Sequence, residues 1–210
     1  VNILNGATLT VSVPMALDTV MMEEDAQVVF TATEGKLTAR SLRFAPLLSA
    51  TGWKAFGMPF TSAVIKNSTE EEISAPSAQN VDNGIWFARL KDNKTPEFVV
   101  DESAFGMAGL WAANGDTYTI SSEGAFEFKT LEEPAAPTET GTFLMCSNPN
   151  TFTITLKQSA YILTTDGTSF EQEANPEIKP FQSFVLTDAK TLSTLRSLRI
   201  GDGVVTGNQT

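Results

Sequence analysis

Asn5-Gly6-Ala7-Thr8-Leu9-Thr10-Val11 and Glu24-Asp25-Ala26-Gln27-Val28-Val29-Phe30 are the two stretches on which the reading of this chain turns. Each is a turn pair followed by alanine and a run of alternating apolar residues, with Val28 and Phe30 answering Leu9 and Val11 at an offset of 19 residues. Alternation with period two marks a half-buried strand. A turn and strand that recur near this period are what one rung of a β-solenoid looks like. Glu34-Gly35-Lys36-Leu37-Thr38-Ala39 offers a partial third copy. The same alternation also suits a pair of plain hairpins, so residues 1–44 are expected to be solenoid-like rungs or hairpins. Two or three rungs cannot cover both of their own ends, because each rung buries its core against a neighbour. Either more rungs lie upstream, or these strands join the next sheet.

Outward from this segment the same texture continues. Phe152, Ile154 and Leu156 alternate with Thr151, Thr153 and Thr155, and Ile85, Phe87 and Arg89 alternate with Trp86, Ala88 and Leu90. Turn pairs punctuate the runs at Asn83-Gly84, Asn114-Gly115, Glu123-Gly124, Asp166-Gly167 and Asp202-Gly203. Short strands separated at this spacing predict an all-β protein, with an antiparallel β-sandwich over residues 45–210. Ala45-Pro46-Leu47-Leu48-Ser49 reads as a hinge between the two parts. The Pro- and Glu-rich stretch 132–140 reads as an exposed, extended connection. Helical signal is thin. Ser62–Ser74 could hold a turn or two but reads better as an acidic loop, and Ala104–Ala113 reads as a strand with a bulge.

Composition closes off several functions. The chain has 210 residues, 14 Lys plus Arg against 25 Asp plus Glu, and a formal net charge of −11. No basic run is present, which argues against a nucleic-acid partner and against an anionic membrane surface. Histidine is absent, which removes Ser-His-Asp and Cys-His catalysis and every His-ligated metal or haem. Cys146 is the single cysteine; beside Phe143-Leu144-Met145 it reads as a small buried hydrophobe. No apolar run is long enough to cross a bilayer. The chain starts at Val1 rather than Met, which reads as a processed or truncated product.

From Ser49 onward the order of motifs resembles a known family. Gly52-Trp53-Lys54-Ala55-Phe56-Gly57-Met58-Pro59-Phe60, Gly141-Thr142-Phe143, Tyr161-Ile162-Leu163 with Asp166-Gly167 and Phe170, Ile178-Lys179-Pro180-Phe181-Gln182-Ser183-Phe184, and Arg196-Ser197-Leu198-Arg199-Ile200 follow one another. This order resembles the C-terminal β domain of cell-surface proteins of gut Bacteroidota, many of which carry leucine-rich or β-solenoid repeats upstream. The resemblance covers about three-quarters of the chain; Phe105–Ala113 fits it loosely. It implies a β-sandwich on a secreted or surface-attached protein, with upstream repeats of the same polypeptide as a partner. It brings no catalytic residues and no cofactor. Ala39-Arg40-Ser41-Leu42-Arg43-Phe44 repeats the closing pattern of residues 196–200, which suggests equivalent positions in two modules.

Candidate sites each have a plainer reading. Trp53, Trp86 and Trp111 could form a sugar-stacking platform for a host glycan, but each sits among apolar strand neighbours and reads better as core. Asp101-Glu102, Asp116 or Glu171 could supply glycosidase carboxylates, with no context that singles them out. Asp82-Asn83-Gly84 and Asp92-Asn93 read as Asx turns rather than calcium loops. Asp18-Thr19-Val20 resembles an O-glycosylation triplet of extracytoplasmic Bacteroidota proteins, which makes Thr19 a candidate. The function expected is a non-catalytic capping or presenting module without a cofactor. The alternatives are an adhesin-like module for a host glycan or extracellular protein, and a carboxylate-dependent glycoside hydrolase.

Overall fold

The computed structural model describes residues 1–31, 36–47, 52–57, 63–73, 85–100, 108–113, 117–128 and 130–200. Expectations at Glu34-Gly35, Pro59, Asp82-Asn83-Gly84, Asp101-Glu102, residues 104–107, Asn114-Gly115, Asp116 and Asp202-Gly203 lie outside the described residues. The protein is all-β, with one short helix among the described residues.

The first segment is a parallel stack, not a set of hairpins. Strands β1 (Asn2–Ile3), β3 (Met15–Glu23) and β5 (Leu37–Ala45) lie side by side and parallel, while β2 (Thr8–Val11) and β4 (Gln27–Phe30) form a second parallel pair. Asn2 pairs with Met21 and Thr8 with Gln27, so the 19-residue sequence offset is the strand register itself. The rung turns also correspond. Gly6 has φ +71° and Asp25 has φ +64°, and in each turn the following alanine N–H donates back, Ala7 to the Leu4 carbonyl and Ala26 to the Glu23 carbonyl. Glycine and aspartate are among the residues that tolerate this left-handed backbone. The second rung is longer: Met15 pairs with Leu37, because residues 31–36 replace the shorter link 12–14. Leu37–Ala39 therefore runs beside Met15–Leu17 and does not continue the β2–β4 pair.

The stack joins the next sheet. The far edge of β5 takes β12 (Thr119–Ser122) and β13 (Phe126–Phe128) antiparallel, and β12 continues to β7 (Ala63–Lys66) and β8 (Glu72–Ile73). One row of partners crosses this long sheet: Ile3, Met22, Phe44, Ile120, Ile65 and Ile73. The first five are buried, and hydrogen bonding passes without a break from parallel to antiparallel strands across residue 44. Residues 63–73 form a hairpin rather than a helical turn. Asn67 Oδ1 accepts from the Thr69 and Glu71 N–H groups there, so the acidic run is the tip of a tight turn.

Three further sheets pack in layers. The central one runs β10 (Phe98–Val100), β9 (Ile85–Leu90), β11 (Gly109–Ala113) and β6 (Lys54–Phe56). Phe56, Ile85, Phe87, Trp111 and Ala113 share a core with the stack, whereas Trp86, Ala88, Leu90, Leu110 and Ala112 share one with the outer sheet. That outer sheet has the order β14 (Phe143–Ser147), β19 (Ser183–Thr187), β16 (Ala160–Leu163), β17 (Ser169–Glu173) and β20 (Ser197–Arg199). Its other face, with Ile162, Phe184 and Leu186, packs near Ile178 of the small pair β15 (Ile154–Thr155) and β18 (Glu177–Ile178). The central sheet is covered on both faces, which explains the apolar runs Ile85–Ala88 in β9 and Gly109–Ala113 in β11.

Two local features correct the sequence reading. Helix α1 (Ala189–Thr194) was not expected. It is capped by Asp188, whose carboxylate accepts from the Lys190 and Thr191 N–H groups, the Thr191 hydroxyl and the Gly141 N–H. These bonds, the Thr191 hydroxyl foremost, hold its carboxyl well below the usual range. The second concerns the two Arg-Ser-Leu-Arg strands, which are not equivalent. The first lies inside the long sheet with partners on both sides, and the second is paired only to β17 among the described residues.

Candidate functional site

The three tryptophans do not form a platform. Trp111 is 1% exposed, stacks on Phe56 with ring centroids 4.7 Å apart, and donates Nε1–H to the Phe56 carbonyl at 3.1 Å. Trp86 is buried on the opposite face of the central sheet, because its register partner is Ala112 whereas Trp111 faces Phe87. The Trp86 Nε1–H is buried without a hydrogen-bond partner among the described residues. Trp53 is 8% exposed and belongs to the core between central and outer sheets. The core reading is the one the geometry gives for all three.

Trp53 alone also lines a cleft. It has a volume of about 270 Å³ and lies where five segments meet. The β3–β4 turn brings Glu24 and Asp25, the end of β5 brings Phe44, Pro46 and Leu47, and the start of β6 brings Trp53 and Lys54. Leu163, Thr164 and Thr165 come from the β16–β17 turn, and Lys179, Pro180 and Gln182 from the turn before β19.

Backbone packing fixes this geometry. A Cβ on Gly167, at φ +70°, would meet the Trp53 backbone N and O at 2.6 Å, so the Asp166-Gly167 turn can lie this close only with glycine. Asp166 braces the turn by accepting from the Thr164 and Thr168 hydroxyls and the Thr168 N–H. Those bonds, the Thr164 hydroxyl first, lower its carboxyl below the ordinary value. Phe181 holds the other wall. Its backbone is left-handed at φ +61°, its ring is fully buried edge-on to Phe44 with centroids 5.3 Å apart, and its carbonyl accepts from Gly57 N–H.

Charge in the cleft is balanced. Lys54 Nζ pairs with Glu24 at 2.8 Å, and Lys179 Nζ pairs with Asp25 at 2.7 Å. Glu24 Oε2 also accepts from Leu47 N–H. Asp25 Oδ1, the Gln182 Nε2 amide and the Thr165 hydroxyl have no hydrogen-bond partner among the described residues. Sequence reasoning singled out Trp53 and missed the rest, because the lining is drawn from positions 24 to 182 and no local signal joins them.

The other candidates stand apart from this cleft. Thr19 is half-buried in mid-strand on β3, beside the exposed Asp18–Arg40 pair. Asp92 caps its own turn through the Lys94 and Thr95 N–H groups. Glu171 is exposed on β17. Cys146 is half-buried, its thiol pushed up to about 12 by burial. Among the described residues there is no group of three or more Cys, Asp or Glu placed to hold a metal ion, and no helix long and apolar enough to cross a membrane. No protein-family model, curated protein or solved structure matches the chain.

Proposed function

We propose that this chain is a non-catalytic structural module that closes one end of a β-solenoid on a secreted or surface-attached protein, its partner being further rungs of the same polypeptide. The observation that carries the reading is the difference between the two sides of the parallel stack. On one side β5 is covered by β12 and β13, and β4 is covered by the 148–153 loop. On the other, β1 pairs only with β3 and β2 only with β4 among the described residues. Val1, Leu4 and Val13, at 58, 58 and 61% exposed, lie beside these edge strands, and Met15, at 39%, begins β3. Open strand edges with apolar neighbours are what a further rung covers, and natural proteins seldom leave them bare. The motif order from Gly52 to Ile200 supports the surface setting.

The test is a tandem duplication of residues 1–19, which adds one rung in the observed register. The expected result is a monomer with a higher Tm and with the added segment protected from proteolysis. An added segment that is cleaved freely, with Tm unchanged, overturns the reading. A second reading, as a binding module, is favoured by the cleft.

A further inference from the structure

We propose that the cleft at the junction of the stack and the outer sheet binds one neutral, hydroxyl-rich ring, a hexose unit, against the wall formed by Trp53 and Leu47. This goes beyond the capping role and stands on different residues. The size suits one small ring, since about 270 Å³ falls just below the range of about 300–1,000 Å³ typical of drug-sized ligands. The lining combines apolar groups, Phe44, Pro46, Leu47 and Trp53, with polar ones, Thr164, Thr165, Gln182 and two ion pairs. Sugar rings carry the same combination of C–H faces and hydroxyl edges.

Charge decides against ionic ligands. Both ammonium groups already face a carboxylate, Lys54 on Glu24 and Lys179 on Asp25, so the cleft holds no unpaired charge to favour an anion or a cation over a neutral ligand. What remains for a ligand is a mixed set: the Gln182 amide as donor, Asp25 Oδ1 as acceptor, Thr165 as both, and the unused protons of the two ammonium groups. A hydroxyl both donates and accepts, so a polyol satisfies such a set where an ion or a hydrocarbon does not. The walls are preformed, because Gly167 against Trp53 and Phe181 against Phe44 leave little to reorganise on binding.

The test is a titration of the whole chain followed by amide and indole NMR shifts. Methyl hexosides and free hexoses of several configurations serve as probes, with a hexuronate, a hexosamine and cyclohexanol as comparison arms. The expected result is saturable shifts at millimolar concentration at Leu47, Trp53, Thr165 and Gln182, larger for a neutral hexose than for the other arms. Binding of free hexose alone assigns a free sugar; binding of the methyl glycoside as well assigns a glycan terminus. Leu47→Asp at the exposed rim and Thr165→Val, both folded by circular dichroism, are each expected to weaken binding about tenfold. Absence of saturable cleft shifts with every neutral hexose overturns the proposal. Equal shifts from cyclohexanol, or tighter binding of a charged sugar, overturn it too.

Discussion

The two ends of the parallel stack are built from the same rung and finished in opposite ways. At the closed end, β4 and β5 give up their spare hydrogen bonds to later parts of the chain. The Val28 N–H donates to the Thr151 carbonyl at 2.7 Å, the Thr151 hydroxyl donates to the Val28 carbonyl, and the Thr153 N–H donates to the Gln27 side chain. At the open end, Leu9 is half-exposed, and Leu4 and Val13 face solvent. A parallel rung has no means of finishing itself, so it must borrow a cover from another element. Here the cover comes from antiparallel strands and from a loop more than a hundred residues away.

The sharpest way to break this comparison is to unseat the closed end. Phe181 is fully buried and packs edge-on to Phe44, the last inward residue of the stack before the hinge. Phe181→Ala is expected to cost about 3–5 kcal/mol, as large-to-small aromatic changes in a core do. Chemical denaturation checks the value. A loss below about 1 kcal/mol would mean that the site collapses around the deletion and that this packing does not hold the closed end.

A smaller effect is expected from the loop that covers β4. Asn148 is fully buried, and its amide donates to the carbonyls of Phe152, Ile178 and Lys179 at 2.8, 3.0 and 3.1 Å. Its Oδ1 accepts from the Asn150 N–H, and Asn150 in turn ties Leu131 at the start of the extended 132–140 connection. Asn148→Ala leaves several of these carbonyls unpaired and is expected to cost about 2–3 kcal/mol. Hydrogen exchange is expected to quicken at Val28 before it does at Val20, because only the former is bonded to this loop. Equal acceleration at both would show that the loop and the stack open as one unit.

The sequence carried the rung but not its direction. Gly6 with Asp25, Leu9 with Val28, and Val11 with Phe30 revealed the offset, since turn chemistry and burial act on the same positions in each rung. Parallel and antiparallel neighbours demand the same alternation, so rungs and hairpins share this pattern and only the strand register separates them. The third copy was misplaced because three extra residues before Leu37 shift the next rung from an offset of 19 to one of 22. Helix α1 buries no residue and so leaves no periodic stripe; its one legible signal was the Asp188 cap. The hairpin at 63–73 was hidden by its acidic tip, where Asn67 rather than an apolar pattern organises the backbone. The tryptophans were legible as core from their strand neighbours. The cleft was not, because pairings such as Lys179 with Asp25 join residues that only the tertiary fold brings together.

The smallest effect on stability is expected at the open end, and it sharpens the comparison most. Leu4→Lys with Val13→Lys replaces two residues that are 58 and 61% exposed, so little buried area is lost. Changes at such positions usually stay within about 0.5 kcal/mol. The unmodified chain is therefore expected to keep its Tm. In the chain with residues 1–19 duplicated, the same pair placed at the internal junction would be covered by the added rung, and each ammonium would have to lose its hydration there. The duplication's gain in Tm should then vanish while the parent fold persists. If the two lysines destabilise the unmodified chain instead, Leu4 and Val13 already contribute to a finished edge, and the two ends are less different than their hydrogen bonding indicates. If the lysines leave both the parent and the duplicated chain unchanged, the added rung does not stack on β1 and β2.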